Sequence, residues 1–222
     1  MINLKVTSSI ALMTGFALFG LAASATFAES PKNENPQATT EVVVTYPWTF
    51  QSGTKNAIKV AIESLGQIVV KEGSTPVSLD VARAAWKSGN FGPRTFGKTP
   101  TMETLQAFGK SVKATQVVYG DIAWNTTKTS KAPNPIAVSV ATVDAFVLDV
   151  ASGKVLYACH AAKGESNESI SDLTFLANIY PGPITSQSTA GHQTQDEERA
   201  AQIALGRAFE GWIKISTTKA QL

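Results

Sequence analysis

Apolar and polar positions alternate most regularly over residues 136–162. The run Ile-Ala-Val-Ser-Val-Ala-Thr-Val-Asp-Ala-Phe-Val-Leu-Asp-Val is followed by Ala-Ser-Gly-Lys and then Val-Leu-Tyr-Ala-Cys-His-Ala-Ala. Two β-rich runs around a short turn predict a hairpin. Val138, Val140, Phe146, Leu148 and Val150 share one parity, so that face is expected to be the bulkier and more apolar one. Asp149 and Ser152 can hydrogen-bond the local backbone, and Gly153 supplies a positive φ if the turn needs one.

The remaining pattern alternates strands with helices. Residues 41–46 are β-rich and end at Pro47, which predicts a first strand. Ile58, Ala61, Ile62 and Leu65 form one helical stripe after Ser52-Gly-Thr, with Gly66 as its C-cap, and Ile68-Val-Val reads as a buried strand. Gly73-Ser-Thr-Pro is a turn, and Ser78 caps a second helix with the stripe Leu79, Ala82 and Trp86. Leu105, Phe108 and Val112 mark a third helix, opened by Pro100. Residues 116–125 predict a strand in which Gly120 marks a bulge or a close backbone approach. Residues 126–135 read as a polar connection to the hairpin. Thr194-Gln-Asp-Glu is a capping box for a last helix, with Ala201, Ala204, Leu205, Ala208, Phe209 and Trp212 as its stripe. This order defines one α/β (α+β) domain over residues 41–216, a mixed β-sheet with helices packed on it. Residues 164–193 interrupt it as a polar insertion, and residues 217–222 form a polar tail.

The N-terminus changes where this domain is expected to work. Lys5 precedes an apolar run from Ile10, and small residues lead to Ala28 before Glu29. That is the pattern of a secretory signal peptide over residues 1–28, cleaved between Ala28 and Glu29, with Ala23 and Ala25 offering a competing site. An uncleaved anchor is the alternative, for which the run is short and holds Thr14 and glycines. No cysteine follows the cut to carry a lipid, and no later stretch is apolar enough to span a membrane. Residues 29–40 are a polar leader with two prolines. The formal net charge of +2 has no basic excess of the kind nucleic acid requires. Cys159 is the sole cysteine, so no intrachain disulfide forms; a buried inert thiol or an intermolecular disulfide are the two readings.

The stretch Leu105-Gln-Ala-Phe-Gly-Lys-Ser-Val-Lys-Ala-Thr-Gln-Val-Val-Tyr-Gly-Asp-Ile resembles a helix-to-strand unit of exported bacterial envelope proteins. Asp149-Val-Ala-Ser-Gly-Lys-Val-Leu is similar to the hairpin of that group, and the closing helix is similar too. The group contains the curli secretion channel subunit, the N-terminal domain of the Tol-system propeller protein and the lipoprotein activators of penicillin-binding proteins. The resemblance implies an anticodon-binding-like fold over residues 41–215 and an exported, non-enzymatic protein-interaction module of the cell envelope, with another envelope protein or a second copy as partner. Lys113-Ala-Thr stands where the group has Gly-Ala-Asp, and the lipid-bearing cysteine, the propeller and a pore-forming hairpin are absent from this sequence. Pore activity is therefore not implied.

Candidate chemistry is sparse, and no cofactor, metal or catalytic residue is assigned. Cys159 and His160 are adjacent in a strand and point to opposite faces, against a shared metal or a thiol–imidazole pair. His192 near Asp196 has no ligand spacing behind it. Gly-x-Ser-x-Gly is absent. An exported small hydrolase using His160 or His192 is the rival function, requiring an acid and a hydroxyl or thiol beside either ring in a pocket. Asp121 and Asp144 lie inside strands, facing solvent or a partner on the sheet. The glycine-rich stretch 88–100 lacks the phosphate-loop spacing; a small-ligand site on it would need a cleft. Asn125 and Asn167 head glycosylation triplets that carry no information here. The partner-binding candidates are Leu173, Phe175, Leu176, Ile179 and Tyr180, large apolar groups in an otherwise polar insertion.

Overall fold

The computed structural model describes residues 41–128, 137–168 and 193–219, all within one compact unit, Thr39–Leu222. The signal segment 1–28 with Ala28 and Glu29, the leader 29–40, and the patch Leu173, Phe175, Leu176, Ile179 and Tyr180 lie outside the described residues. The elements run β1 (Val42–Val44), β2 (Trp48–Gln51), α1 (Lys55–Glu72), β3 (Thr75–Pro76), α2 (Leu79–Ser88), α3 (Met102–Ser111), β4 (Gln116–Lys128), β5 (Ala137–Asp149), β6 (Val155–Glu165) and α4 (Gln193–Lys219). The sheet order is β3-β1-β4-β5-β6, with β2 also on β4. β1 and β2 pair parallel to β4, whereas β4–β5 and β5–β6 are antiparallel, so the sheet is mixed.

Helix α1 is longer than its sequence pattern predicts. Ile68 and Val69 are its last two turns and not a strand. They continue the stripe of Ala61 and Leu65 at helical spacing, and burial outweighs the β preference of branched residues. Gly66 lies inside the helix; the stop is Gly73, at φ 98°, whose N–H reaches the carbonyls of Val69 and Val70. Thr54, Ser78 and Thr101 cap α1, α2 and α3, each accepting from the backbone three residues on. Pro47 interrupts the first strand without ending it, since Trp48–Gln51 resumes pairing with β4. β4 runs through Lys128, and β6 runs to Glu165, into the start of the segment read as an insertion. Helix α4 begins at Gln193, so Thr194 stands in its first turn and not at a cap.

The deeper core lies under α1 and α4, on the side of the small residues of β5. Ala141, Val143, Ala145 and Val147 are fully buried there, whereas Val140, Thr142, Asp144 and Phe146 are only half-buried. The expected core parity of the hairpin is therefore reversed over most of β5. The cause is the alanine face of α4, with Ala200, Ala201, Ala204 and Ala208 all buried. Small groups on both partners let the helix lie close to the sheet: a Cβ on Gly164 would sit 2.5 Å from the Ala204 backbone nitrogen and 2.8 Å from Ile203 Cβ. On the other face, α2 and α3 pack Trp86, Leu105 and Phe108 against Val44, Tyr46, Val117, Tyr119 and Leu148. Among the described residues, that second layer covers one end of β4 and β5, and Asp121, Thr142 and Asp144 at the other end of this face are half-buried.

Candidate functional site

The half-buried end of this sheet face carries the strand acids. Asp121 of β4 and Asp144 of β5 are directly opposite in the antiparallel register, on the same face. Like charges in that position repel, so each must find its own partner. The Thr49 hydroxyl, on β2, donates to Asp121 Oδ1. The Ala161 N–H donates to Asp144 Oδ1 at 2.9 Å, and His160 Nδ1 stands 3.6 Å from the same oxygen. Both Asp144 and His160 come together because β6 is irregular opposite Asp144: its register slips between Val143 and Ala145, and Ala161 has φ 53°. Phe146 stacks on Tyr119 at 5.1 Å between centroids and meets the His160 ring edge-on at 5.1 Å, so an aromatic row crosses β4, β5 and β6 beside the acids. Gly120 gives β4 room: a Cβ there would run into the Asp144 carbonyl oxygen, which is the close approach its sequence position predicts.

One wall of this region is the glycine-rich loop, residues 89–100. It is pinned from below. Trp86 Nε1 donates to the Gly92 carbonyl at 2.9 Å, and Phe91 packs on Trp86 and Phe108. Arg94 donates to the Trp48 carbonyl at 2.8 Å and lies 4.7 Å over the Tyr46 ring. Gly97, at φ 71°, lets the tip fold back, with the Lys98 N–H on the Thr95 carbonyl at 3.1 Å. A shallow cleft lies between this loop and β4, enclosing about 10 Å³. Pro47, Pro100, Tyr119 and Gly120 give it an apolar lining, Arg94 and Lys98 border it from the loop, and Thr49 and Asp121 border it from the sheet.

The other sequence candidates are separated. Cys159 faces α4 with Tyr157, packed against the core, and His160 faces the open side. Burial holds the Cys159 thiol above its ordinary range, with Asp144 adding to that and a hydrogen bond with Tyr157 opposing it. Tyr157 is itself fixed by donating to the Ala208 carbonyl at 2.8 Å. The His160 side chain is 71% exposed, and among the described residues no hydroxyl or thiol hydrogen-bonds to it. The cleft lining does not include it. His160 and Asp144 thus make an acid–imidazole contact on an exposed surface, without a nucleophile. His192 lies outside the described residues. Among the described residues no group of three or more His, Cys, Asp or Glu side chains is placed to hold a metal ion, and no helix is long and apolar enough to cross a membrane.

Mixed sheet, helices on both faces and a single described unit define an α+β domain. No family model matches the chain, and no curated protein matches it. Among solved structures, a lipoprotein of Neisseria meningitidis is similar at 18% identity and TM-score 0.40, over 60% of this chain and 89% of that one. The C-terminal domain of LpoB from Salmonella enterica is similar at 19% identity and TM-score 0.38, over 60% and 85% of the two chains. The same domain from Escherichia coli is similar at 16% identity and TM-score 0.37, over 58% and 83%.

Proposed function

We propose that this chain is an exported, non-enzymatic protein-interaction module of the bacterial cell envelope. The observation that carries the reading is the half of the sheet face that, among the described residues, α2 and α3 leave uncovered, with Asp121, Thr142 and Asp144 half-buried there. It is held by β4 and β5, which pair along their whole length, so its side chains stand on rigid elements. Asp121 and Asp144 occupy its centre, flanked by Thr49 and Thr142. That pattern favours a protein partner that brings cationic and hydrogen-bonding groups to the two carboxylates. Another envelope protein is the partner expected from the signal sequence; a second copy is the other outcome a test can return. The patch Leu173, Phe175, Leu176, Ile179 and Tyr180 is proposed as an additional anchor for the same kind of contact.

The location is tested by fractionation: processed protein in the exported fraction supports the reading, and full-length protein with Lys5 intact in the cytoplasm refutes it. The surface is tested by Asp121→Asn with Asp144→Asn, which keep the Oδ1 acceptors for Thr49 and Ala161 and remove both charges. Partner association should fall while the unfolding midpoint holds.

A further inference from the structure

Residues 81–102, which run from α2 through the loop to the start of α3, carry four cations, Arg83, Lys87, Arg94 and Lys98, and no acid. The fold gathers these charges on one surface. Arg83 and Lys87 are four residues apart on α2 and so share a helix face. Arg83 and Arg94 border one shallow depression, and Arg94 and Lys98 border the next, against β4. All four residues are exposed, and among the described residues no carboxylate lies within ion-pair distance of any of them. Asp80 and Glu103 flank the stretch, each in the first turn of a helix, where the helix dipole engages a carboxylate. Asp121, across the cleft, accepts from Thr49.

An exposed ring stands within this strip of charge. Trp86 and Arg94 hold the base of the loop, and Gly97 turns its tip so that Thr95 and Lys98 pair. Phe96 is at that tip, 38% exposed, between Arg94 and Lys98 in sequence. A large apolar side chain held in water gains by leaving it, and here any surface that takes the ring also meets the cations. Anionic lipid suits both: its phosphates attract Lys and Arg, and the layer between headgroups and acyl chains accepts an aromatic ring. We propose that this face, α2 with the 89–100 loop, rests on an anionic lipid surface as a peripheral contact. Arg83, Lys87, Arg94 and Lys98 meet the headgroups, and Phe96 enters the interfacial layer. The contact uses none of the residues of the docking face proposed above, and neither depends on the other.

The test is flotation of the full chain with phosphatidylcholine vesicles and with vesicles of equal parts phosphatidylcholine and phosphatidylglycerol. Residues 1–28 are the same in every sample, so differences between variants report the folded domain. The wild type is expected to bind the anionic vesicles about tenfold or more tightly than the neutral ones, and to be released as salt rises. Each cation near an anionic surface contributes about fivefold. Arg83→Gln with Lys98→Gln should therefore lose about tenfold or more, and Phe96→Ser about threefold or more. Lys154→Gln with Lys163→Gln removes the same charge from the hairpin turn and from β6, an edge of the sheet, and should change binding little. All five positions are exposed, so the variants keep the fold. Equal binding to the two vesicle types, or none to either, overturns the proposal. An equal loss in the two double variants overturns it by making the binding a matter of net charge alone, and wild-type binding by Phe96→Ser overturns it too.

Discussion

The backbone N–H of Thr54 donates to Glu197 Oε2 at 2.8 Å across 143 residues of sequence. The bond joins the start of α1 to the N-terminal part of α4, the two helices that cover the deeper core. Glu197 is almost fully buried, and its own carbonyl accepts from Trp124 Nε1 at 3.0 Å. The sequence places Glu197 in a capping box for its own helix; the structure uses it at the N-terminus of another, where a carboxylate is favoured by the helix dipole. Glu197→Ala leaves a part-buried N–H without this acceptor and should cost about 1–3 kcal/mol in denaturant unfolding. Glu197→Gln keeps an acceptor and should recover part of that loss.

Two glycines should respond in opposite directions. Gly66 lies within α1 at an ordinary backbone angle, and a Cβ there meets nothing within 4 Å. Gly66→Ala should raise stability by about 0.5–1 kcal/mol. Gly164 faces the backbone of α4, where a Cβ would stand 2.5 Å from the Ala204 nitrogen. Gly164→Ala should push the helix off the sheet and cost about 1–3 kcal/mol. Unfolding midpoints measured side by side decide both.

Asp149 gives the hairpin a pH dependence. Hydrogen bonds from the Ser152 side chain and then the Ser152 backbone hold its carboxyl below the usual carboxylate range, with the N–H bond at 2.6 Å. A carboxyl lowered on folding adds stability that is fully present above its unfolded pKa of about 3.9, and this is lost as pH falls through the folded value. Asp149→Asn should therefore flatten the fall in stability below about pH 4 and change its slope little between pH 5 and 8. An unchanged acid limb would contradict this.

Cys159 should react slowly. Burial raises its pKa, so the thiol is protonated at neutral pH and lacks the thiolate that attacks a disulfide reagent. Labelling with such a reagent should accelerate only at pH values above the ordinary thiol range. Fast labelling at neutral pH would mean that the β6–α4 contact around Cys159 and Tyr157 opens readily.

The sequence made some of this legible. Asp149, Ser152 and Gly153 announced the turn because local hydrogen bonding and a positive φ act within four residues. Trp86, Leu105 and Phe108 announced their helix faces because the period of a helix appears within two turns. The long-range terms were not legible. Ile68 and Val69 read as strand because burial against α4, far along the chain, decides their state. The core side of β5 read wrongly because bulk is a poor guide where an alanine-faced helix prefers small partners. Asp121 and Asp144 were visible as unusual acids in strands, but their cross-strand pairing depends on the register of β4 against β5, which neither strand declares alone. Arg94, Lys98 and the cleft depend on how the loop folds back over Tyr46 and Trp48, and no local spacing reports that.

The protein-docking role of the open sheet face is the central claim, and cross-linking in the native envelope tests it most directly. The exported wild-type chain and the Asp121→Asn, Asp144→Asn double variant are expressed at equal level, cross-linked before lysis, and compared after confirming equal unfolding midpoints. The account predicts a discrete adduct with one partner for the wild type that is lost or strongly reduced for the variant. The same adduct at equal yield in both, or no adduct with the wild type, would contradict it.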